Sequence, residues 1–117
     1  MNPRDFTLAL LRDDDLTARQ LVKDAKRAGF SWSLAPAPDF AGRRTRAVYA
    51  SVVELLASRA GHTPPSWTQQ VGPAPAPVFL VKSAKTSKAM RRASLESTPE
   101  LLKKRNVFAL RDYLDVL

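Results

Sequence analysis

Apolar residues recur at helical spacing in two stretches of the chain. The first stretch has its apolar face at Ala18, Leu21, Val22, Ala25 and Ala28. The second covers residues 42–60, with a face lined by Val48, Val52, Leu55, Leu56 and Arg59. Spacings of three and four residues place side chains on one side of an α-helix. Gly29 and Gly61 follow the two stretches, and glycine commonly occurs just beyond a helix end. The pattern predicts two main helices, with the longer one at the centre of the core.

A third helix is predicted at the N-terminus. Pro3 suits the first turn of a helix, because its fixed φ angle and missing N–H group are tolerated there. The apolar positions of this helix are Phe6, Leu8, Leu10 and Leu11. The aspartates at residues 13–15 suit the start of the next helix, since carboxylates accept hydrogen bonds from its free N–H groups.

Prolines predict extended loops between the helices. Residues 30–40 contain two prolines that force extended backbone, and we expect Trp32 and Leu34 to pin this loop to the core. Trp67 follows a Pro-Pro pair and is a second expected anchor, on one short turn of helix. Residues 72–77 alternate proline with small residues and predict a surface connection.

The C-terminal half predicts a basic helix followed by a short one. Residues 82–95 favour the basic helix, whose apolar positions are Ala84, Met90, Ala93 and Leu95. Pro99 fits the first position of the next helix, with Ser97 or Thr98 as its cap. Its inward-facing residues are Leu101 and Leu102.

These patterns predict a mainly α fold, a small single-domain bundle of about five short helices with at most two short strands. Residues 78–81 fit a short strand or the apolar start of a helix, residues 107–110 are expected to be extended, and residues 111–117 predict a terminal helical turn. One domain covers residues 1–117, in three parts: 1–40, 41–71 and 72–117. Besides the two main helix faces, the predicted core contains Trp32, Trp67, Leu101 and Phe108.

Composition narrows the function classes. The chain has 117 residues, no cysteine and one histidine, so disulfides, thiolate zinc sites and multi-histidine metal sites are excluded. With no catalytic constellation or cofactor motif, we expect no enzyme activity and no cofactor. Apolar runs are too short to cross a membrane, and the start lacks the layout of a signal peptide. The expected location is cytoplasmic, without a membrane partner.

A net charge of +8 predicts attraction to polyanions or acidic protein surfaces. Residues 82–105 hold eight basic and two acidic side chains, a local net charge of +6. On a helix, Lys85, Lys88 and Arg92 would share a face that contacts successive phosphates or an acidic protein. A solvated face is the alternative. The candidate partner-binding residues are Lys85, Lys88, Arg91, Arg92, Lys103, Lys104 and Arg105.

Other sequence features give weaker indications. Three arginines within residues 43–46 open the long helix, where cations are locally unfavourable. This favours a bound anion or a partner carboxylate, and solvation is the alternative. His62 is expected to cap helix carbonyls, and Ser94 follows two arginines in a pattern that suits phosphorylation. A helix-turn-helix is excluded, because Pro36 and Pro38 fall inside its second helix.

Two segments carry a family resemblance. Residues 59–68 read Arg-Ala-Gly-His-Thr-Pro-Pro-Ser-Trp-Thr, and residues 96–108 read Glu-Ser-Thr-Pro-Glu-Leu-Leu-Lys-Lys-Arg-Asn-Val-Phe. From about residue 47 to its end, the chain resembles small actinomycete-type proteins found beside nucleotidyltransferase toxins of the abortive-infection type. The resemblance implies an antitoxin-like protein that binds a cognate toxin and occludes its active cleft. The alternative is a basic DNA- or RNA-binding protein or small transcriptional regulator, which fits the net charge.

Overall fold

The computed structural model describes residues 2–115, and this part of the chain is mainly α-helical. Its helices are α1 (Pro3–Leu11), α2 (Asp15–Arg27), α3 (Arg43–Ala60), α4 (Lys88–Ser97) and α5 (Glu100–Lys103). Its strands are β1 (Val78–Phe79) and β2 (Val107–Phe108), which pair in parallel with Val78 opposite Val107. The predicted fold class is confirmed, including both short strands at the expected places.

Local capping sets the ends of the first helices, as the sequence predicts. The side chain of Asp14 accepts a hydrogen bond from the N–H of Thr17 at 3.2 Å and so caps α2. Gly29 has a φ of 68°, and the N–H of Phe30 reaches back to the carbonyl of Ala25 at 2.9 Å. This left-handed glycine turns the chain sharply out of α2 into the loop that follows.

Helix α3 is the centre of the core, and its middle part is enclosed on all sides. Every residue from 47 to 57 is buried, including the polar residues Ser51 and Glu54. The surrounding elements contribute Phe6, Leu10, Trp32, Val78, Leu102, Val107 and Leu114. The sequence predicts a one-sided apolar face for α3, but small side chains such as Ala47 and Ala50 let neighbours pack against its other sides as well.

Most of the predicted core residues are buried. Those fully in the interior are Val22, Trp32, Val48, Val52, Leu55, Leu56 and Phe108. Leu21, Ala25 and Trp67 pack against the core from partly exposed positions. In α5, Leu102 is fully buried while Leu101 is only half-buried, because one turn of helix directs neighbouring residues to different sides.

The predicted helix over residues 82–95 is interrupted. Residues Lys82–Lys85 form a 3₁₀ turn, and α4 begins only after Ser87, whose hydroxyl accepts from the N–H of Met90 at 3.3 Å. This capping bond places Ser87 outside the helix and divides the basic segment in two.

Two predictions about the chain beyond α4 are wrong. The buried hydroxyl of Thr98 contacts the backbone of Ala109, to whose carbonyl it donates at 3.0 Å, so it holds the end of α4 beside β2 instead of capping α5. Pro99 precedes α5 instead of occupying its first position. Residues 111–114 form a hydrogen-bonded turn where a terminal helical turn is predicted, and Val116 and Leu117 lie outside the described residues.

The proline-rich loop before α3 is anchored differently from the prediction. Trp32 is 5% exposed and pins the loop to the core, as expected. Leu34 is 76% exposed and does not. The short 3₁₀ turn Trp32–Leu34 rotates the two side chains to opposite sides of the loop, so only Trp32 reaches the interior.

Candidate functional site

The exposed face of α4 presents three of the six predicted partner-binding cations that remain at the surface. Its inward residues are Met90, Ala93, Ser94 and Ser97, which are buried or half-buried at helical spacing. Its exposed residues are Lys88, Ala89, Arg91, Arg92, Leu95 and Glu96. We call the three cations and Leu95 the α4 surface, and Glu96 lies beside it as the one acidic residue of the helix.

Arg91 is held in place by two contacts. Its Nε donates to the carbonyl of Ala84 at 3.3 Å, and its guanidinium carbon lies 5.8 Å from the centre of the Phe79 ring. The attraction between a cation and an aromatic face favours this position. Phe79 is itself stacked on Phe108, with 5.4 Å between ring centroids. The guanidinium is therefore oriented before any partner arrives, which reduces the entropy lost on binding.

Leu95 adds an apolar contact to this basic surface. It lies one turn after Arg91 and Arg92 and is 43% exposed. The sequence predicts Leu95 on the apolar side of the helix. In α4 the inward side is formed by Ser94 and the residues at helical spacing from it, so Leu95 lies on the outward side. The sequence signal for this mixed surface is a leucine three or four residues after two arginines. A count of charged residues does not detect it.

Two other predicted partner-binding residues, Lys85 and Lys104, form ion pairs within the protein. The Nζ atom of Lys85 lies 2.5 Å from Oδ2 of Asp13, and Nζ of Lys104 lies 3.0 Å from Oε1 of Glu54. Lys85 belongs to the 3₁₀ turn, so it does not share a helix face with Lys88 and Arg92 as predicted. Both lysines remain about half exposed; Asp13 balances the charge of Lys85, whereas Glu54 also pairs with Arg105, so this group of three keeps a net charge of +1.

Arg105 is in the interior, so the prediction that it contacts a partner is wrong. It is 5% exposed, and its Nη1 atom bonds to Oε1 of Glu54. Its Nη2 donates to the carbonyl of Thr68 at 2.5 Å, and its Nε donates to that of Val71 at 3.0 Å. Arg105 thus joins the end of α5 to α3 and to the segment after Trp67, and its charge does not reach a partner.

The carboxylate of Glu54 is ionised in this environment. Burial by itself would raise the pKa of Glu54, but hydrogen bonds from Arg105 and Lys104 outweigh burial and lower the pKa below its ordinary value. The sequence signal for this pair is one glutamate within the apolar residues of α3. A buried carboxylate needs a cation, and the basic run after α5 supplies it.

The residues with weaker functional indications in the sequence have structural roles. Arg46 donates from Nε to the carbonyl of Phe40 at 2.8 Å, just before α3. The backbone N–H of His62 donates to the carbonyl of Ala57 at 2.8 Å and so caps α3, while its Nδ1 accepts from the N–H of Trp32 at 3.2 Å. Ser94 is fully buried and donates to the carbonyl of Met90 at 2.9 Å, which places it out of reach of a kinase.

Lys103 is exposed on α5 and completes the list of candidate cations.

Across residues 2–115, no group of three histidine or acidic side chains is arranged to hold a metal ion. The helices of this same region include none long and apolar enough to cross a membrane. Comparison of the chain with family models, curated proteins and solved structures finds no match. The functional argument therefore depends on the geometry of the surface.

Proposed function

We propose that this protein is an antitoxin-like binding protein whose α4 surface docks on an acidic region of a partner protein. The observation that carries the proposal is the exposed Leu95 beside Arg91 and Arg92. Interfaces between proteins combine apolar anchors with surrounding charged groups. The arginines accelerate encounter with an acidic partner, and the leucine contributes to lasting affinity once water is excluded.

The cognate toxin is the partner that the sequence resemblance supports. A toxin that acts on a nucleotide or nucleic acid binds a polyanion in its cleft. Enzymes of this kind commonly use metal ions, and the acidic residues that bind those ions give parts of the cleft a negative potential. A basic helix face that covers such a cleft inhibits by exclusion. No chemical step by this chain is required.

Binding to nucleic acid is the second candidate, favoured by the local net charge of +6 over residues 82–105. Phosphates attract the same cations, and such binding weakens steeply as salt rises. The structure reduces the charge available for this purpose, since Arg105 is buried and Lys85 is paired with Asp13. Phosphates also gain nothing from an apolar side chain, so Leu95 separates the two functions.

The test uses the full chain and the product of the adjacent gene. Two variants alter the α4 surface: the charge reversal Arg91→Glu/Arg92→Glu and the neutral change Leu95→Gln. The matched control is Lys23→Glu/Lys26→Glu, which makes the same charge change on the exposed side of α2. Affinity for the partner, and for random duplex DNA and single-stranded RNA, is measured over a range of salt concentrations.

We expect the arginine reversal to lower the association rate and flatten its salt dependence. Leu95→Gln should weaken partner binding about tenfold, mainly through faster dissociation, with little change in the association rate. The control should keep its affinity. If both α4 variants bind and neutralise the toxin as well as the parent, the α4 surface is only a solvated face. If DNA or RNA binds in a salt-dependent way that Leu95→Gln leaves unchanged, the nucleic-acid function replaces the one proposed here.

A further inference from the structure

A cavity of about 540 Å³ opens where α2 and α3 end. Sites for small organic molecules commonly measure about 300–1,000 Å³, so this cavity has room for such a ligand. One side of it is apolar and includes Phe30, Trp32 and Leu56, and charged or polar side chains line the rest. The cavity shares no residue with the α4 surface, so what binds in it is independent of the proposed function.

Two cations line this cavity from the last turns of two helices. Lys26 belongs to α2 and Arg59 to α3. Among residues 2–115, neither side chain forms an ion pair with a carboxylate. A cation in the last turn of a helix interacts favourably with the helix dipole, and Arg27 does so without lining the cavity. The dipole therefore does not explain why both Lys26 and Arg59 border the same apolar wall.

The hydrogen-bond donors of the cavity are held in position. Nη1 of Arg59 donates to the carbonyl of Tyr113 at 2.5 Å, and its Nη2 donates to that of Arg111 at 2.9 Å. These bonds use two of the five guanidinium N–H groups and leave its charge in place. Nδ1 of His62 accepts the N–H of Trp32 at 3.2 Å, so Nε2 carries the proton of the neutral ring and serves as a donor. Donors that are ordered in advance lose less entropy when a ligand binds.

We infer that this cavity binds a small aromatic monocarboxylate. The aromatic body of the ligand packs against the apolar wall, which already contains two rings packed edge-on with 5.1 Å between centroids. The carboxylate accepts charge-assisted hydrogen bonds from Lys26 and Arg59 and a further bond from His62. Asp115 also lines the cavity, so with a neutral histidine the lining has a net charge of +1. One carboxylate balances that charge, whereas a phosphate monoester, with a charge of about −2, exceeds it.

The experiment titrates the full chain with 2-naphthoate up to about 10 mM and follows the indole N–H signals of its two tryptophans by NMR. Trp32 lines the cavity and Trp67 does not, so the Trp67 signal is an internal control. The variant Trp67→Phe assigns the two signals. Two further compounds define the ligand class: 2-naphthamide has the same rings without the charge, and adenosine monophosphate joins an aromatic base to a phosphate.

The variant Lys26→Glu reverses one of the two cations, and Arg27→Glu is its matched control. Both residues are exposed in the last turn of α2, so the change in charge and the effect on the helix dipole are the same. Urea unfolding of both variants establishes that the fold is kept, as exposed positions predict. Because Lys26 is not part of the α4 surface, loss of the carboxylate ligand and loss of the partner protein are separate results.

We expect 2-naphthoate to shift the Trp32 signal with a dissociation constant of about 1 mM or lower, and to leave the Trp67 signal in place. Both 2-naphthamide and adenosine monophosphate should bind at least about tenfold more weakly. Lys26→Glu should weaken 2-naphthoate binding at least about tenfold, and Arg27→Glu should leave it unchanged.

Several outcomes overturn the inference. The absence of any shift over the whole titration does so, as does an equal shift of both tryptophan signals, which marks non-specific binding. Equal binding of 2-naphthamide would show that the cavity does not recognise a carboxylate. Tighter binding of adenosine monophosphate would assign the cavity to a phosphate ligand instead. Binding that Lys26→Glu leaves intact, or that Arg27→Glu weakens equally, would remove Lys26 from the site.

Discussion

At the scale of single residues, buried polar groups have the clearest structural roles. Glu54 and Arg105 are each about 5% exposed, and Arg105 also bonds to two backbone carbonyls. Taking two charges out of water is costly, and mutual attraction with complete hydrogen bonding offsets that cost. Removal of either partner would leave the other buried without compensation.

We therefore expect Arg105→Met to destabilise the fold by about 3–5 kcal/mol, as measured by urea unfolding. Lys104→Met is the matched control, because Lys104 contacts the same carboxylate from a half-exposed position. It should cost under about 1 kcal/mol, since solvent screens exposed ion pairs. Equal urea midpoints in the two variants would contradict the assignment of Arg105 to the interior.

At the scale of elements, α3 organises the molecule because the other segments pack around it. Leu55 and Leu56 pack against neighbouring elements, and Tyr49 joins α3 to the proline-rich loop and to Trp67. Trp67 combines ring stacking with a hydrogen bond to Ala35. The 3₁₀ turn that contains Trp67 is thus fixed to α3 from one side and to the proline-rich loop from the other.

Leu55→Ala and Trp67→Ala should each lower the free energy of unfolding by about 2–5 kcal/mol through the cavities left behind. Trp67→Phe is the informative companion to the second change, since it retains an aromatic ring but removes the hydrogen bond to Ala35 and part of the indole. It should cost about 0.5–1.5 kcal/mol from that bond, plus a smaller packing loss. Urea midpoints that match the parent in both alanine variants would show that the interior is assigned wrongly.

At the scale of the whole molecule, charge is unevenly distributed. Residues 82–105 carry a local net charge of +6 out of the total of +8, because acidic residues are scarce there. The total charge makes the fold sensitive to acid, since protonation of carboxylates increases a net charge that is already +8.

We expect stability to fall as the pH decreases below about 4.5, the ordinary pKa of Glu54. The folded state holds that pKa lower, so the unfolded chain binds the proton first, and the stabilisation present at neutral pH is lost on the acid side. Urea unfolding at about pH 7 and about pH 3 measures this loss. Glu54→Gln should show a smaller difference between the two conditions; an equal difference would assign acid sensitivity to net charge alone.

The sequence by itself determined the elements whose causes are local. Helices α2 and α3 follow from apolar periodicity, and their ends follow from Asp14, Gly29 and Gly61, because capping depends on residues within one turn. For residues 78–81 the sequence leaves a strand and the start of a helix open, and pairing with β2 selects the strand. The cations of α4 are identifiable from the order of residues, since Lys88, Arg91 and Arg92 are three or four residues apart or adjacent.

Only the tertiary structure decided which of those side chains reach solvent. Arg105 belongs to the same basic run as Lys103, yet it is buried because Glu54, 51 residues earlier, lies beneath it. Leu34 and Trp32 are two residues apart, and contacts from Tyr49, His62 and Trp67 bury one side of their loop and expose the other. Periodicity describes neighbours along the chain, whereas exposure depends on partners that only folding brings together.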